Sequence, residues 1–240
     1  MRAWKTKNEV EIVQVLSGRS NSYLVVSENG NVLIDTGKTS DFIRLQKNID
    51  ALKLPKKNID FLILTHTHFD HCQNAFALIE QENCSIVMSE NEAVFAEQGY
   101  TPLPKGTFPL TRFISKLGNR IGKSKFGYKP FIPDRLVTGE LNLEAYKITL
   151  IPTPGHSKGS ISVIVDNEIA LVGDTLFGVF RKSVFPPFAD DVDEMINCWG
   201  QLLETNCTIF LPGHGKEIKR ELLQNEYNKH TRNPGSGDAR

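Results

Sequence analysis

The chain has 240 residues, enough to bury a substantial core within one α/β unit. Its 28 Lys and Arg offset 28 Asp and Glu, and 40% of it is apolar, so whole-chain charge selects no particular partner and the composition is that of a globular protein. Cys72, Cys84, Cys198 and Cys207 form no Cys-x-x-Cys pair, no apolar h-region follows Met1-Arg2-Ala3-Trp4-Lys5, and no apolar run reaches membrane-spanning length, so reduced thiols and a cytoplasmic location are expected.

Taken in chain order, apolar runs predict strands over 10–15, 23–26, 32–34, 61–64 and 85–88, with helices over 41–48, 71–81 and 90–98. A second group of strands follows over 146–151, 161–165, 169–172 and 208–211, with helices over 191–205 and 216–230. Asn29-Gly30-Asn31 and Asp166-Asn167-Glu168 read as hairpin turns. Val192, Met195, Ile196, Trp199, Leu202 and Leu203 lie at helical spacing behind an Asp190 or Asp191 cap, which places Met195 and Trp199 in a core. The last ten residues, 231–240, read as a disordered tail, with His230 a solvated residue beside it. Two strand groups, one before Met88 and one after Tyr146, predict two mixed sheets face to face with helices outside, in one domain over 1–230.

Between the groups, 100–140 differs in character. Its eight cations (Lys105, Arg112, Lys116, Arg120, Lys123, Lys125, Lys129, Arg135) outweigh Asp134 and Glu140, a local charge of +6 that the rest of the chain must balance. Phe108, Phe113, Phe126, Tyr128 and Phe131 are interleaved, and 111–121 could form an amphipathic helix. So long a connection is either functional or a solvated surface insertion, and both readings stand at this point.

The densest chemistry is Thr65-His66-Thr67-His68-Phe69-Asp70-His71, directly after the strand over 61–64. Buried imidazoles need a hydrogen-bond or metal partner, and a nitrogen-plus-carboxylate set suits zinc. Alone, the stretch could be a half-buried strand face or a surface tract with incidental metal affinity. Three further strand ends weaken that reading: Gly155-His156 after 147–151, Gly173-Asp174 after 169–172, and Gly213-His214 after 207–210. Cys72 adjoins the cluster and reads as an early residue of the next helix.

In this order, His-x-His-x-Asp-His, Gly-His, Gly-Asp and Gly-His resemble the metallo-β-lactamase-fold hydrolases, and Leu33-Ile34-Asp35-Thr36-Gly37 matches a further motif of that family. The resemblance runs from about Ser22 to Lys216, and its glyoxalase II-like and lactonase-like members come nearest. It implies a four-layer αββα sandwich with the site along one edge of the paired sheets. It also implies two divalent metal ions, zinc first, with iron or manganese as alternatives. Carried over, His66, His68 and His156 would hold one ion, and Asp70, His71 and His214 the other, with Asp174 bridging. Asp70 would orient a metal-bridging hydroxide, and Asp35 and Thr65 would support the ligands from behind, although Asp35 also reads as an ordinary turn aspartate.

The function these residues predict is hydrolysis of an ester, thioester, lactone or phosphodiester in a small molecule, anionic with an apolar part if the basic segment covers the metals. A homodimer is left open, and nucleic acid is not expected as a partner. Two alternatives accompany it: a mononuclear iron enzyme similar to the persulfide dioxygenases, and a non-enzymatic binding module with structural metal. Departures from the family pattern are the Cys72-Gln73-Asn74-Ala75 continuation in place of Gly-Gly, and Gly178-Val179-Phe180-Arg181-Lys182 where a glycine-rich stretch is expected. The tyrosine that lactonases place near the metals has only Tyr128 as a distant counterpart.

Overall fold

A computed structural model describes residues 1–54 and 59–232. The first part of the chain forms β1 (Ala3–Lys5), β2 (Glu11–Leu16), β3 (Ser22–Ser27), β4 (Gly30–Ile34), α1 (Phe42–Asp50), β5 (Ile59–Ile63), α2 (Phe69–Cys72), α3 (Ala75–Glu82), β6 (Ser85–Ser89), α4 (Glu90–Gln98), α5 (Pro109–Phe126) and β7 (Arg135–Val137). The second part forms β8 (Leu141–Leu143), β9 (Ile148–Pro152), β10 (Ile161–Val165), β11 (Ile169–Gly173), α6 (Val192–Glu204), β12 (Ile209–Pro212), β13 (Ile218–Lys219) and α7 (Arg220–Arg232). β1 to β7 lie side by side in sequence order in one sheet, and β13-β12-β11-β10-β9-β8 form the other. Both sheets are mixed: β4 to β7 run parallel after an antiparallel start, and β11 pairs β12 parallel within an otherwise antiparallel sheet.

Period-two alternation sorts the side chains into layers. Ile12, Val25, Val32, Ile34, Ile63 and Val87 face Val163, Ile169, Leu171 and Leu211 in a core between the sheets. Their neighbours Leu24, Leu33, Leu62, Leu64 and Met88 turn the other way and pack with Leu45 of α1 and Leu78 of α3. On the far side, Ala170 and Val172 meet Met195, Trp199 and Leu202 of α6 and Leu223 of α7. The result is the four-layer αββα arrangement. A one-residue slip in any of these strands would exchange its two faces, so the register is strongly specified.

Several boundaries differ from the sequence reading, each for a local reason. The strand groups divide at Glu140, because β7 from the basic segment completes the first sheet and β8 opens the second. The helix expected over 71–81 is two, α2 and α3: the His71 carbonyl accepts from Thr36 N–H at 2.7 Å and the Thr36 hydroxyl at 2.9 Å, which ties it to the neighbouring loop. The helix expected over 216–230 begins with β13, whose edge pairing with β12 takes residues 218–219. The first hairpin turns at Glu28 and Asn29, while Gly30 and Asn31 already pair in β4. α7 continues to Arg232, and His230 is not a solvated residue: its ring stacks on Phe185 at 5.1 Å and meets the edge of Trp199 at 5.7 Å. The remainder of the expected tail, 233–240, lies outside the described residues.

The amphipathic helix expected over 111–121 is the longer α5, with Pro109 in its first turn and a kink at Gly122, where φ is +40°. It rests on the protein through Ser115, Gly118 and Gly122 and carries no Asp or Glu. Leu110 and Phe113 on its outer side are 70% and 65% exposed.

Candidate metal centre

Every candidate ligand sits just past the C-terminal end of a strand, along one edge of the paired sheets. His66 and His68 follow β5, and Asp70 and His71 occupy the single turn of α2. His156 follows β9, Asp174 follows β11 and His214 follows β12. The structure brings all seven together. Three sets each have their ligand atoms within 4.8 Å of one another: His66, His68 and His156; His66, His71 and Asp174; and Asp70, His71 and His214.

Fixed acceptors behind the imidazoles orient them. Asp35, held at φ +57° just after β4, takes Thr65 N–H on Oδ1 at 2.8 Å. Its Oδ2 takes the Thr65 hydroxyl at 2.8 Å and His71 Nδ1 at 2.8 Å. Since the one hydroxyl hydrogen of Thr65 goes to Asp35, Thr65 Oγ1 accepts from His66 Nδ1, 3.1 Å away. His156 gives its Nδ1 hydrogen to the Phe188 carbonyl at 2.9 Å, and His214 gives its own to the Arg19 carbonyl. The Nε2 atoms of His66, His71, His156 and His214 are thereby aimed at the shared centre, while His68 presents Nδ1, 3.0 Å from His156 Nε2. Asp174 occupies the middle: its carboxylate lies 3.4 Å from His71 Nε2, 3.6 Å from His156 Nε2 and 3.2 Å from His214 Nε2. Gly213 makes this approach feasible, because a Cβ there would come within 2.4 Å of Asp174 Oδ1 and 2.6 Å of the His71 ring.

The electrostatics divide the cluster. Burial, reinforced by the neighbouring imidazoles, holds His66 well below the ordinary range. Burial also pushes His68 down to about 4 against the pull of Asp70 and Asp174, and His156 down to about 4 against that of Asp174, so all three present lone pairs. Burial works the same way on His71, but Asp174 and Asp35 outweigh it and raise it to about 10. His214 also rises, burial being outweighed chiefly by Asp174. Burial would favour protonated Asp174, yet His214 and His71 hold it well below the usual carboxylate range. A centre that favours protons beside carboxylates favours cations in general.

Two atoms test the fit to metal directly. His66 Nε2 and Asp174 Oδ1 are buried and have no hydrogen-bond partner among the described residues. An orphaned buried acceptor costs about 1–3 kcal/mol. Two in one cluster of nitrogen and carboxylate donors fit divalent metal, and the set matches the preference of zinc for imidazole and carboxylate.

A family model for the metallo-beta-lactamase superfamily matches residues 17–214. The chain belongs to that superfamily. Among curated members it is 31% identical over 200 residues to a probable metallo-hydrolase of Methanocaldococcus jannaschii, covering 82% of this chain and 88% of the relative. It is 28% identical over 214 residues to the hydroxyacylglutathione hydrolase GloC of Haemophilus influenzae, covering 86% and 90%. Among solved structures, the archaeal metallo-β-lactamase superfamily protein from Sulfolobus tokodaii superposes with a TM-score of 0.67 at 18% identity, over 92% of this chain and 86% of that one. These relationships support the αββα fold and a metallo-hydrolase role in general. No helix among the described residues is long and apolar enough to cross a membrane.

Some surrounding residues escaped the sequence reading. Asn21 donates N–H to the Gly213 carbonyl at 2.7 Å and its side-chain amide to the Pro212 carbonyl at 2.9 Å, bracing the turn that carries His214. Arg19 places its guanidinium 3.9 Å from Asp70 and 5.8 Å above the Phe69 ring. Glu92, on α4, reaches two ligand loops at once. Its Ser89-x-x-Glu92 spacing is that of a capping box, so the local sequence carries no sign of this role. Tyr128 is not among the ligand groups: its hydroxyl lies 2.8 Å from Thr101 Oγ1, which in turn donates to the Thr67 carbonyl at 2.7 Å. Cys72 ends α2, with its thiol directed at the Thr67 carbonyl at 3.1 Å.

Proposed function

We propose that this chain is a dinuclear metal-dependent hydrolase acting on an ester, thioester, lactone or phosphodiester bond of a small molecule. The observation that carries the reading is the pair of orphaned buried acceptors, His66 Nε2 and Asp174 Oδ1, inside a seven-residue cluster of ligand atoms. His66, His68 and His156 would hold one ion, and Asp70, His71 and His214 the other. Asp174 would be shared, since its oxygens reach imidazoles of both sets. Two divalent ions held there, zinc by the chemistry of the donors, would supply a water acidic enough to attack at neutral pH and a positive charge for the substrate oxygen.

The protein's own groups do the rest. Asp70, whose Oδ2 lies 3.8 Å from His214 Nε2, accepts a hydrogen bond from the attacking water and sets its direction. Asp35 and Thr65 fix the ring planes of His71 and His66. Arg19, beside Asp70, favours an anionic substrate, and the aromatic residues Phe69 and Phe126, in ring contact at 4.8 Å, offer an apolar surface next to it. We place this activity in a metallo-β-lactamase-like domain over 1–230 whose 100–140 segment borders the centre.

Metal analysis and turnover on a panel of such substrates test the proposal. Two equivalents per chain are expected, and Asp70→Ala is expected to lower kcat/KM by at least about 100-fold. Unchanged turnover in Asp70→Ala would remove the assigned mechanism. One tightly held iron per chain would instead favour a mononuclear oxygenase-type site, which leaves part of the cluster idle.

A further inference from the structure

Glu92 is 1% exposed, and each of its carboxylate oxygens is committed to a different loop. Oε2 accepts from Thr67 N–H at 3.0 Å and from the Thr67 hydroxyl. Oε1 accepts from the Ser157 hydroxyl at 2.7 Å and from Gly159 N–H at 3.2 Å. Thr67 stands between His66 and His68, and Ser157 follows His156. The two loops joined by this one side chain therefore carry all three members of one ligand set, while Asp70 and His71 of the other set follow in the separate turn of α2. The other set is supported elsewhere, by Asp35 behind His71 and by the Arg19 carbonyl behind His214.

We propose that Glu92 is a positioning residue for the His66, His68 and His156 set alone, holding its two loops in register so that one ion of the pair binds tightly. The proposal rests on the two-ion reading above. A carboxylate is required because all four contacts are donors, and four donors also make a buried anion tolerable. Glutamine would set an amide NH2 against the donors of one loop, releasing Thr67 or Ser157. The close fit is built into the backbone as well: a Cβ at Gly159 would come within 2.4 Å of Glu92 Cγ. Local chemistry alone would send Glu92 back to the Ser89 amide in a capping box. Instead Ser89 caps α4 by itself, accepting from Asn91 N–H at 3.3 Å, and Glu92 is free to turn toward the loops.

Chelator competition, resolved into successive metal equivalents, tests this without relying on turnover. In E92Q one equivalent is expected to weaken by about 10- to 100-fold while the other keeps its wild-type affinity. In a His156→Ala background E92Q should weaken nothing further, whereas with His214→Ala the two losses should add. A merely structural role would lower both equivalents together, and that result, or two unchanged equivalents, would overturn the proposal. Circular dichroism and apo-protein melting verify that E92Q folds; if it does not, Ser157→Ala removes one donor only and is expected to weaken the same equivalent by a smaller factor, no change overturning the proposal. Should wild-type protein bind one equivalent, the two-ion reading falls, and the role of Glu92 then stands or falls on whether E92Q weakens that equivalent.

Discussion

Asp35 shows how much one residue behind a metal centre can determine. Its two oxygens order Thr65 and His71 directly, and through the Thr65 hydroxyl they settle which nitrogen of His66 carries the hydrogen. The left-handed backbone at Asp35 still lets its own N–H continue the ladder to the Ile63 carbonyl at 3.0 Å, so the side chain is delivered by the end of the sheet itself. Asp35→Asn keeps the size but replaces one acceptor with a donor facing the Thr65 or His71 hydrogen. It is expected to cost about 10- to 100-fold in metal affinity, read by chelator competition. Asp35→Ala additionally leaves a buried His71 N–H unpaired, an expected loss of about 1–3 kcal/mol in denaturant unfolding of the apo-protein. The sequence reading left Asp35 divided between this role and an ordinary turn aspartate, because a turn and a ligand support use the same residue type before a glycine.

At the scale of elements, α6 and α5 are opposites. α6 is capped by Asp191, which accepts from Glu194 N–H at 2.9 Å, and buries Met195, Trp199 and Leu202 against the second sheet. Trp199 is 0% exposed and its indole N–H donates to the Thr175 carbonyl at 2.8 Å, one residue beyond Asp174. Trp199→Ala is expected to destabilise by about 3–5 kcal/mol in denaturant melts. Leu110→Ala on the outer side of α5 should change stability by no more than about 0.5 kcal/mol, because that side chain is 70% exposed and has little burial to lose. Helical spacing announced both elements, but only α6 could be assigned to a core from the pattern alone. For α5 the apolar positions resemble a core stripe, whereas the contact face is Ser115, Gly118 and Gly122. Small residues allow close approach to a loop, and hydropathy does not register them.

For the molecule as a whole, metal and folding should be linked, because the ligands converge from both sheets and a bound ion stabilises only the folded arrangement. Chelation is therefore expected to lower the melting temperature, and re-addition of zinc to restore it. The four cysteines are buried and free. Burial pushes Cys84 up to about 11 and Cys198 up to about 12. Unfolded thiols ionise near about 8.5, so raising the pH above that value favours unfolding until the folded thiols ionise in turn. Native protein at pH 8 should thus react slowly with a disulfide reagent, and denatured protein should titrate all four thiols at once.

The metal motifs, the strand that precedes each, and the two-sheet architecture were legible in the sequence. They depend on period-two hydrophobicity and on residue types that a core does not otherwise tolerate in such numbers. The resemblance rested on the same residues, and the match over 17–214 agrees with it. What the tertiary structure alone decided is relational. It took β7 out of the basic segment and β8 from just beyond it and completed one edge of each sheet with them, since strands of three residues carry too little pattern to announce themselves. It placed Asp174 between the imidazoles of His71, His156 and His214, and it directed Glu92 away from its own helix terminus toward Thr67 and Ser157. A sequence specifies what each side chain can bond to; which partners arrive within 3 Å is set by the packing of elements far apart along the chain.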